Sequence, residues 1–349
     1  MNNTFTDIES QVLHRIQRDI PITEDPFRDI AEELRIEEPL LRRTLHELKE
    51  GGIIRDISAI LNIGRLGYDS SLIAFTVPAE NVSRAAEIIS SHPGVSHNYL
   101  RKHCFNIWFT LAVPGGESLE QNAEILKNLC GAEDMLILRN RKLLKIGVIL
   151  DVGATGDDDN STDSVPAGVT GTVDHAPEEG LSPEEKEAVR ILQHDIPLTP
   201  RPFRDILENE KSALTEKTLV DIGNGLKRRG IIRRYSAVLR HRTTGYGINA
   251  MTAWKPDRPI TDETIMAVFG SVQHISHLYL RDTYPGKWEH PLFAMIHART
   301  EEELDEIISG LNEKSGITDY LVLHSLKEFK KERVKYFSHR FKEWKEQHD

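Results

Sequence analysis

The sequence predicts an α+β protein made of two copies of one module, a winged helix-turn-helix followed by a ferredoxin-like βαββαβ domain. Three observations predict it. Segments of the first half return, in order, in the second half. Each copy opens with short helical stripes, the third ending at a glycine. Each then runs through apolar strand and helix patterns in the order β-α-β-β-α-β.

The repeat comes first because missing it would misread the whole chain. Ile16-Gln17-Arg18-Asp19-Ile20-Pro21-Ile22-Thr23 returns as Leu192-Gln193-His194-Asp195-Ile196-Pro197-Leu198-Thr199, an offset of 176. Pro26-Phe27-Arg28-Asp29-Ile30 returns unchanged at Pro202 to Ile206. Gly52-Ile53-Ile54-Arg55 returns as Gly230-Ile231-Ile232-Arg233 at 178, and Val95 to Arg101 returns as Ile275 to Arg281 at 180. Small loop insertions produce such a slow drift.

In the first copy, Asp7 to Arg18 sets Ile8, Val12, Leu13 and Ile16 at helical spacing, and Pro21 stops the run. Phe27 to Leu34 is a second helix with Pro26 in its first turn. Glu38 to Glu50 is a third, striped by Leu40, Leu41, Leu45 and Leu48 and closed by Gly51-Gly52. Ile53 to Ile60 reads as an extended wing. Ser71 to Val77 is a strand, Asn81 to Ser91 a helix, and Val95 to Leu100 with Asn106 to Val113 a strand pair. Leu119 to Leu129 is a helix and Met135 to Arg139 a strand, with room for one more strand in Lys142 to Leu150.

The resulting division is a helix-turn-helix domain over 1–62 and a ferredoxin-like domain over 63–150. A disordered linker follows over 151–180. The second copy has its helix-turn-helix over 181–240 and its ferredoxin-like domain over 241–326. A charged helical tail fills 327–349. The linker holds Asp157-Asp158-Asp159 and five glycines, a composition that cannot repay the entropy of ordering. Tethering raises the effective concentration of one copy near the other, so the two are expected to pack as an intramolecular pseudo-dimer, with room for further self-association.

Composition narrows the function. The 349 residues are 39% hydrophobic, enough for packed cores, and no apolar run approaches the ~20 residues that cross a bilayer. No signal peptide is visible at Met1-Asn2-Asn3-Thr4, and the two cysteines form no disulfide framework, so the cytoplasm is the expected location. A net charge of −11 weighs against a protein whose main task is gripping DNA, because phosphate neutralisation dominates that affinity.

A helix-turn-helix ahead of a ferredoxin-like domain resembles the Lrp/AsnC regulators. The particular residues are more similar to siroheme decarboxylases. His97-Asn98-Tyr99-Leu100-Arg101, with Asn106-Ile107-Trp108-Phe109-Thr110 behind it, resembles their first-subunit type. Gly230 to His241 resembles the second-subunit type. So does His277-Leu278-Tyr279-Leu280-Arg281 with Trp288, Pro291-Leu292-Phe293 and Met295-Ile296-His297. The resemblance covers nearly the whole chain outside the linker, the tail and the first residues, as a fusion of the two subunit types. It implies removal of two acetate carboxyl groups from siroheme to give 12,18-didecarboxysiroheme, for an alternative heme route or heme d1. One departure stands out. The aromatic-rich stretch expected after the second Tyr-Leu-Arg reads Trp288-Glu289-His290-Pro291-Leu292, which puts the contacts there in question.

Loss of carbon dioxide from an acetate leaves an electron pair on carbon. The conjugated macrocycle can accept it, so siroheme is substrate and no cofactor is required. A general acid must then protonate the carbon, and histidine suits that task. His97, Tyr99 and Arg101 share one strand face at i, i+2 and i+4, as do His277, Tyr279 and Arg281. The two histidines and two tyrosines are the candidate catalytic groups, set against the plainer reading that they cap the sheet.

Because siroheme carries eight carboxylates, Arg101, Arg281, Arg233, Arg234 and Arg240 are candidates to hold it, mostly through spectator groups. Trp108, Trp288 and Tyr99 are candidates to stack on the ring. His241 is a further binding candidate, a second acid or a ligand to the siroheme iron; His297 is a weaker candidate for the iron, and His103 a further one. No protein metal site is expected. The competing reading is a DNA-binding regulator of Lrp/AsnC type, heme-responsive or not. Its recognition helices would be Glu38 to Glu50 and Thr215 to Arg229, both of mixed charge. A tetrapyrrole carrier is a third reading.

Overall fold

The computed structural model describes residues 5–146, 180–239 and 248–348. The expected linker lies almost wholly outside them, as do Arg240 and His241.

Each copy opens with three helices. In the first these are α1 (Asp7–Arg18), α2 (Pro26–Leu34) and α3 (Glu38–Glu50). A capping box starts α1: the Thr6 amide donates to Glu9 Oε2 at 2.7 Å and the Glu9 amide donates to Thr6 Oγ1 at 3.3 Å. Its buried face is Val12, Leu13 and Ile16. Gly52, at φ +71°, turns the chain out of α3 into β1 (Ile54–Leu61). The first ferredoxin-like unit is β2 (Asp69–Thr76), α4 (Val82–Ser91), β3 (Val95–Arg101), β4 (Ile107–Val113), α5 (Leu119–Cys130) and β5 (Asp134–Leu138), followed by β6 (Asn140–Ile146).

The second copy follows the same order. It runs α6 (Pro183–Leu192), α7 (Pro202–Asn209), α8 (Glu216–Arg228), β7 (Ile232–Leu239) and β8 (Ile248–Lys255), then α9 (Asp262–Ile265) leading into a π-turn. Next come β9 (Ile275–Arg281), β10 (Leu292–Ala298), α10 (Glu301–Ser315), β11 (Asp319–Leu323), β12 (Ser325–Lys331) and α11 (Arg340–His348). Ser182 and Glu185 repeat the capping box at the start of α6.

The copies are interleaved at two levels. The wings β1 and β7 pair antiparallel, so the six helix-turn-helix helices share one apolar core. The repeated Asp-Ile-Pro explains why. Asp195 Oδ1 accepts from the Ile57 amide at 2.9 Å, while Asp19 Oδ1 accepts from the Tyr235 amide at 3.1 Å. Each copy thereby caps the wing of the other.

The strands after the ferredoxin-like units are exchanged. The sheets run β12-β3-β4-β2-β5 and β6-β9-β10-β8-β11, each taking its edge strand from the other copy. Lysines fix the exchange. Lys145 Nζ of β6 donates to the carbonyls of Gly270 and Val272, both at 2.9 Å, and Lys330 Nζ of β12 donates to Ser90 O at 2.7 Å. Each ammonium sits where helix-end carbonyls lack partners. One face of each sheet carries its helices. The opposite faces press together through Leu72, Trp108, Leu138, Met251, Trp288 and Phe293.

The exchange corrects the expected 327–349 tail. Only Arg340–His348 of that stretch is helical, and Ser325–Lys331 is strand β12, which carries the second unit past residue 326. Edge strand β3 leaves a row of unpaired amides and carbonyls, and pairing them outweighs the helical preference of a short charged segment. Beyond it, Phe341 and Trp344 pack on the helical core of the first unit. Among the described residues no helix is long and apolar enough to cross a membrane.

Candidate functional site

On β3, Asn98 points toward α4, where its Nδ2 donates to Ala86 O at 3.2 Å. The alternation of a strand therefore turns His97, Tyr99 and Arg101 to the face between the sheets. The rings of His97 and Tyr99 stack 6.3 Å apart and the Arg101 guanidinium lies 5.1 Å from the Tyr99 ring. On β9 the same arrangement has 6.1 Å between His277 and Tyr279 and 4.7 Å from Arg281 to Tyr279. Both triads thus share a face, as the spacing predicts.

A serine precedes each histidine at a bulge in the strand. Ser96 Oγ lies 2.9 Å from Nδ1 of His97, and Ser276 Oγ lies 2.8 Å from Nδ1 of His277. Occupying Nδ1 fixes the plane of each ring. The environment of His97 is dry and cationic. Burial, then the charge of Lys331, push its pKa from 6.5 to about 4; Glu328 pulls it back, and Arg55 adds a smaller push down. Burial pushes the Tyr279 phenol up, and the positive charges of Arg281 and Arg233 pull it back.

The arginines divide into two kinds. Arg101 and Arg281 are 4% and 7% exposed. Arg101 Nη1 donates to Leu323 O at 2.6 Å and Arg281 Nη1 to Leu138 O at 2.9 Å. The expected carboxylate grips are therefore struts between the copies, drawn inward because each strand exchange leaves a carbonyl to satisfy. Arg233 and Arg234, on wing β7, remain accessible. Arg233 is close enough to influence Tyr279, and Arg234 to influence Arg333.

The tryptophans are also corrected. Trp108 and Trp288 are 1% and 2% exposed, meet edge-on at 5.2 Å, and donate to Phe105 O and His290 O. Face-to-face packing of the sheets consumes them, so they present no stacking surface. Tyr99 is half-buried and its hydroxyl donates to Glu328 at 3.2 Å. His103 is held locally, its Nδ1 accepting from the Phe105 amide at 3.1 Å. His290 pairs with Asp319 at 2.9 Å and Glu289 with Lys255 at 2.6 Å, so the departing stretch is tied into its own sheet edge. His297 lies 2.7 Å from Ser276 Oγ. Among the described residues no group of His, Cys, Asp or Glu suits a metal ion.

Two residues passed over in the sequence belong to the site. Arg55 is the wing counterpart of Arg233, and Lys331 is paired across the ladder with His97. The repeat offset signals Arg55, whereas no local pattern signals Lys331. Both line a cavity of about 830 Å³ bounded by wing β1, the end of α4, β12 and the C-terminal segment. Lys330, Arg333, Lys335 and Arg340 join them, against four carboxylates, so the cavity is cationic within an acidic chain. His97 is not among its lining residues; it is linked to the cavity through its ladder partner Lys331.

Paired helix-turn-helix segments joined to two exchanged sheets, with a cationic cavity at one margin, define a regulator-type architecture. The family model for the AsnC-like ligand binding domain matches residues 65–145 and 243–330. The model for the siroheme decarboxylase NirDL-like HTH domain matches residues 9–55 and 185–233. The chain is 39% identical over 345 residues to the siroheme decarboxylase of Hydrogenobacter thermophilus, covering 99% of this chain and 98% of that one. It is 37% identical over 155 residues to the siroheme decarboxylase beta subunit of Oleidesulfovibrio alaskensis, covering 44% of this chain and 95% of that subunit. The crystal structure of the siroheme decarboxylase NirDL in co-complex with an iron-uroporphyrin III analogue superposes with a TM-score of 0.76, at 33% identity, covering 97% of both chains. The chain belongs to the siroheme decarboxylase family.

Proposed function

We propose that this chain is a carboxy-lyase that removes the carboxyl groups of two acetate side chains of siroheme, giving 12,18-didecarboxysiroheme for heme or heme d1 synthesis. The two copies act as one intramolecular pseudo-dimer, and no cofactor beyond the substrate is needed. The observation that carries this reading is the duplicated histidine, with Nδ1 held by a serine and wing arginine nearby. Its support is that the relative covering the full chain and the superposed structure both bear the name siroheme decarboxylase.

The chemistry follows from the groups present. The bond between the acetate methylene and its carboxylate breaks, and the electron pair passes into the macrocycle. Carbon dioxide leaves, and an imidazole proton forms the new C–H bond. Ion pairing to the reacting carboxylate would stabilise its localised charge and slow the step. The cations of the cavity therefore hold spectator carboxylates, while the reacting acetate lies against the drier imidazole. Burial is the main cause of the His97 pKa of about 4, and those carboxylates offset only the lesser push from Lys331 and Arg55. The DNA-binding reading is less favoured, since the helix-turn-helix segments match the siroheme decarboxylase type. Anaerobic incubation of the purified chain with siroheme tests the proposal: product mass falls by two carbon dioxide units, whereas tight binding at unchanged mass makes the chain a carrier.

A further inference from the structure

One hydroxyl in the second copy stands between two imidazoles. Ser276 Oγ lies 2.8 Å from Nδ1 of His277 and 2.7 Å from Nε2 of His297. The strand register explains how. Met295 of β10 pairs with His277 and Ile296 with Ile275, so Ser276 is the extra residue of a bulge. A bulge re-aims its side chain, here toward His297, which shares a face with Met295. Ser276 is 3% exposed, so the contact is shielded from water.

The first copy has the bulge but not the second imidazole. Ser96 Oγ meets His97 Nδ1 at 2.9 Å and Thr110 Oγ1 at 2.5 Å. Aligning Ile107–Val113 with Leu292–Ala298 places Ala112 where His297 stands. The two histidine centres are also apart. Arg101 of β3 reaches the end of β11 and Arg281 of β9 the end of β5, so they occupy opposite margins of the inter-sheet layer.

We infer that Ser276 and His297 form a proton relay behind His277, which keeps that imidazole neutral as it donates, a relay the first copy does not repeat. This rests on the decarboxylase reading. A hydroxyl has one hydrogen, so between two ring nitrogens it donates to one and accepts an N–H from the other. With Ser276 donating to His277 Nδ1, His277 carries its proton on Nε2 and His297 carries its own on Nε2. When His277 Nε2 gives its proton to the methylene carbon, the serine proton passes to Nδ1. The His297 Nε2 proton passes to Oγ, and a solvent proton enters at His297 Nδ1. One proton is consumed per carbon dioxide released, and no ring is left charged; both rings end as their Nδ1–H tautomers, and the chain resets when a solvent proton returns to His277 Nε2 and the relay runs back, releasing one proton from His297 Nδ1. Ser276 and His297 thus act through His277 and are positioning residues.

The test is anaerobic siroheme turnover by the full chain carrying Ser276→Ala, His297→Ala or His297→Gln. In all three, kcat is expected to fall about tenfold with KM within twofold of wild type, a loss that converts to roughly 1.4 kcal/mol of barrier. Added imidazole should restore rate to His297→Ala. Glutamine keeps an N–H donor but passes no proton, so His297→Gln separates relay from packing. Full kcat in His297→Gln, or a raised KM at unchanged kcat, overturns the relay while leaving the decarboxylase reading intact. A wild-type chain that releases no carbon dioxide from siroheme overturns that underlying reading instead.

Discussion

Arg281 reaches out of β9 to the main-chain carbonyl of Leu138 in the other copy, 2.9 Å from its Nη1. Arg101 makes the matching contact to Leu323 at 2.6 Å. A guanidinium buried this way stays charged, although burial lowers its pKa to about 10 in both cases. Removing either leaves a buried carbonyl unpaired. Arg281→Ala and Arg101→Ala should each cost about 2–4 kcal/mol in urea unfolding. Loss of less than about 0.5 kcal/mol would return these arginines to the list of substrate contacts.

The strand exchange makes a separate prediction. If β6 and β12 belong to the opposite copies, the chain can be cut between them without separating. A protease site placed within 151–179, once cleaved, should yield two fragments that co-elute at the size of the intact protein. Stopping the chain after His324 removes β12 and should expose β3 and aggregate. Lys145→Met and Lys330→Met should each weaken the exchange by about 1 kcal/mol, through loss of a helix-end cation.

Much of this was readable in the residues. The helical stripes of α1 to α3, the repeat and the shared face of His97, Tyr99 and Arg101 are local or periodic features, and such features survive folding. The exchange was not readable. Ser-Leu-Lys-Glu-Phe-Lys-Lys at 325–331 has no clean period, and its partner β3 lies more than 220 residues away. The fates of Trp108 and Trp288 were hidden for the same reason, since a face becomes interior only when a second sheet covers it. Arg55 was within reach, because the offset that aligns Gly52 with Gly230 also aligns it with Arg233.

Two histidines set an acid limb on stability. Burial pushes His92 and His97 from 6.5 to about 4, so between those values the unfolded chain binds more protons than the folded one. Stability must then fall as pH falls through that window, by up to about 2 kcal/mol per histidine at pH 5 relative to pH 8. Urea midpoints at pH 8 and pH 5 measure it, and His97→Gln should reduce the difference. An unchanged difference would mean that His97 titrates normally.

The wing arginines should govern affinity rather than rate. Arg55→Ala and Arg233→Ala are expected to weaken siroheme binding about tenfold each, with kcat within threefold of wild type. Titration of the siroheme absorbance at low and moderate salt reads the affinity, and the loss should shrink as salt rises. A variant that binds normally but turns over slowly would move its arginine from the spectator carboxylates to the reacting one.

The central claim is that an imidazole on each strand face supplies the proton that replaces carbon dioxide. Single-turnover decarboxylation of bound siroheme by His97→Ala and His277→Ala, measured beside their binding curves, tests it most directly. The account predicts that at least one variant loses tenfold or more of its rate while binding siroheme as wild type does. Full rate in both would contradict it.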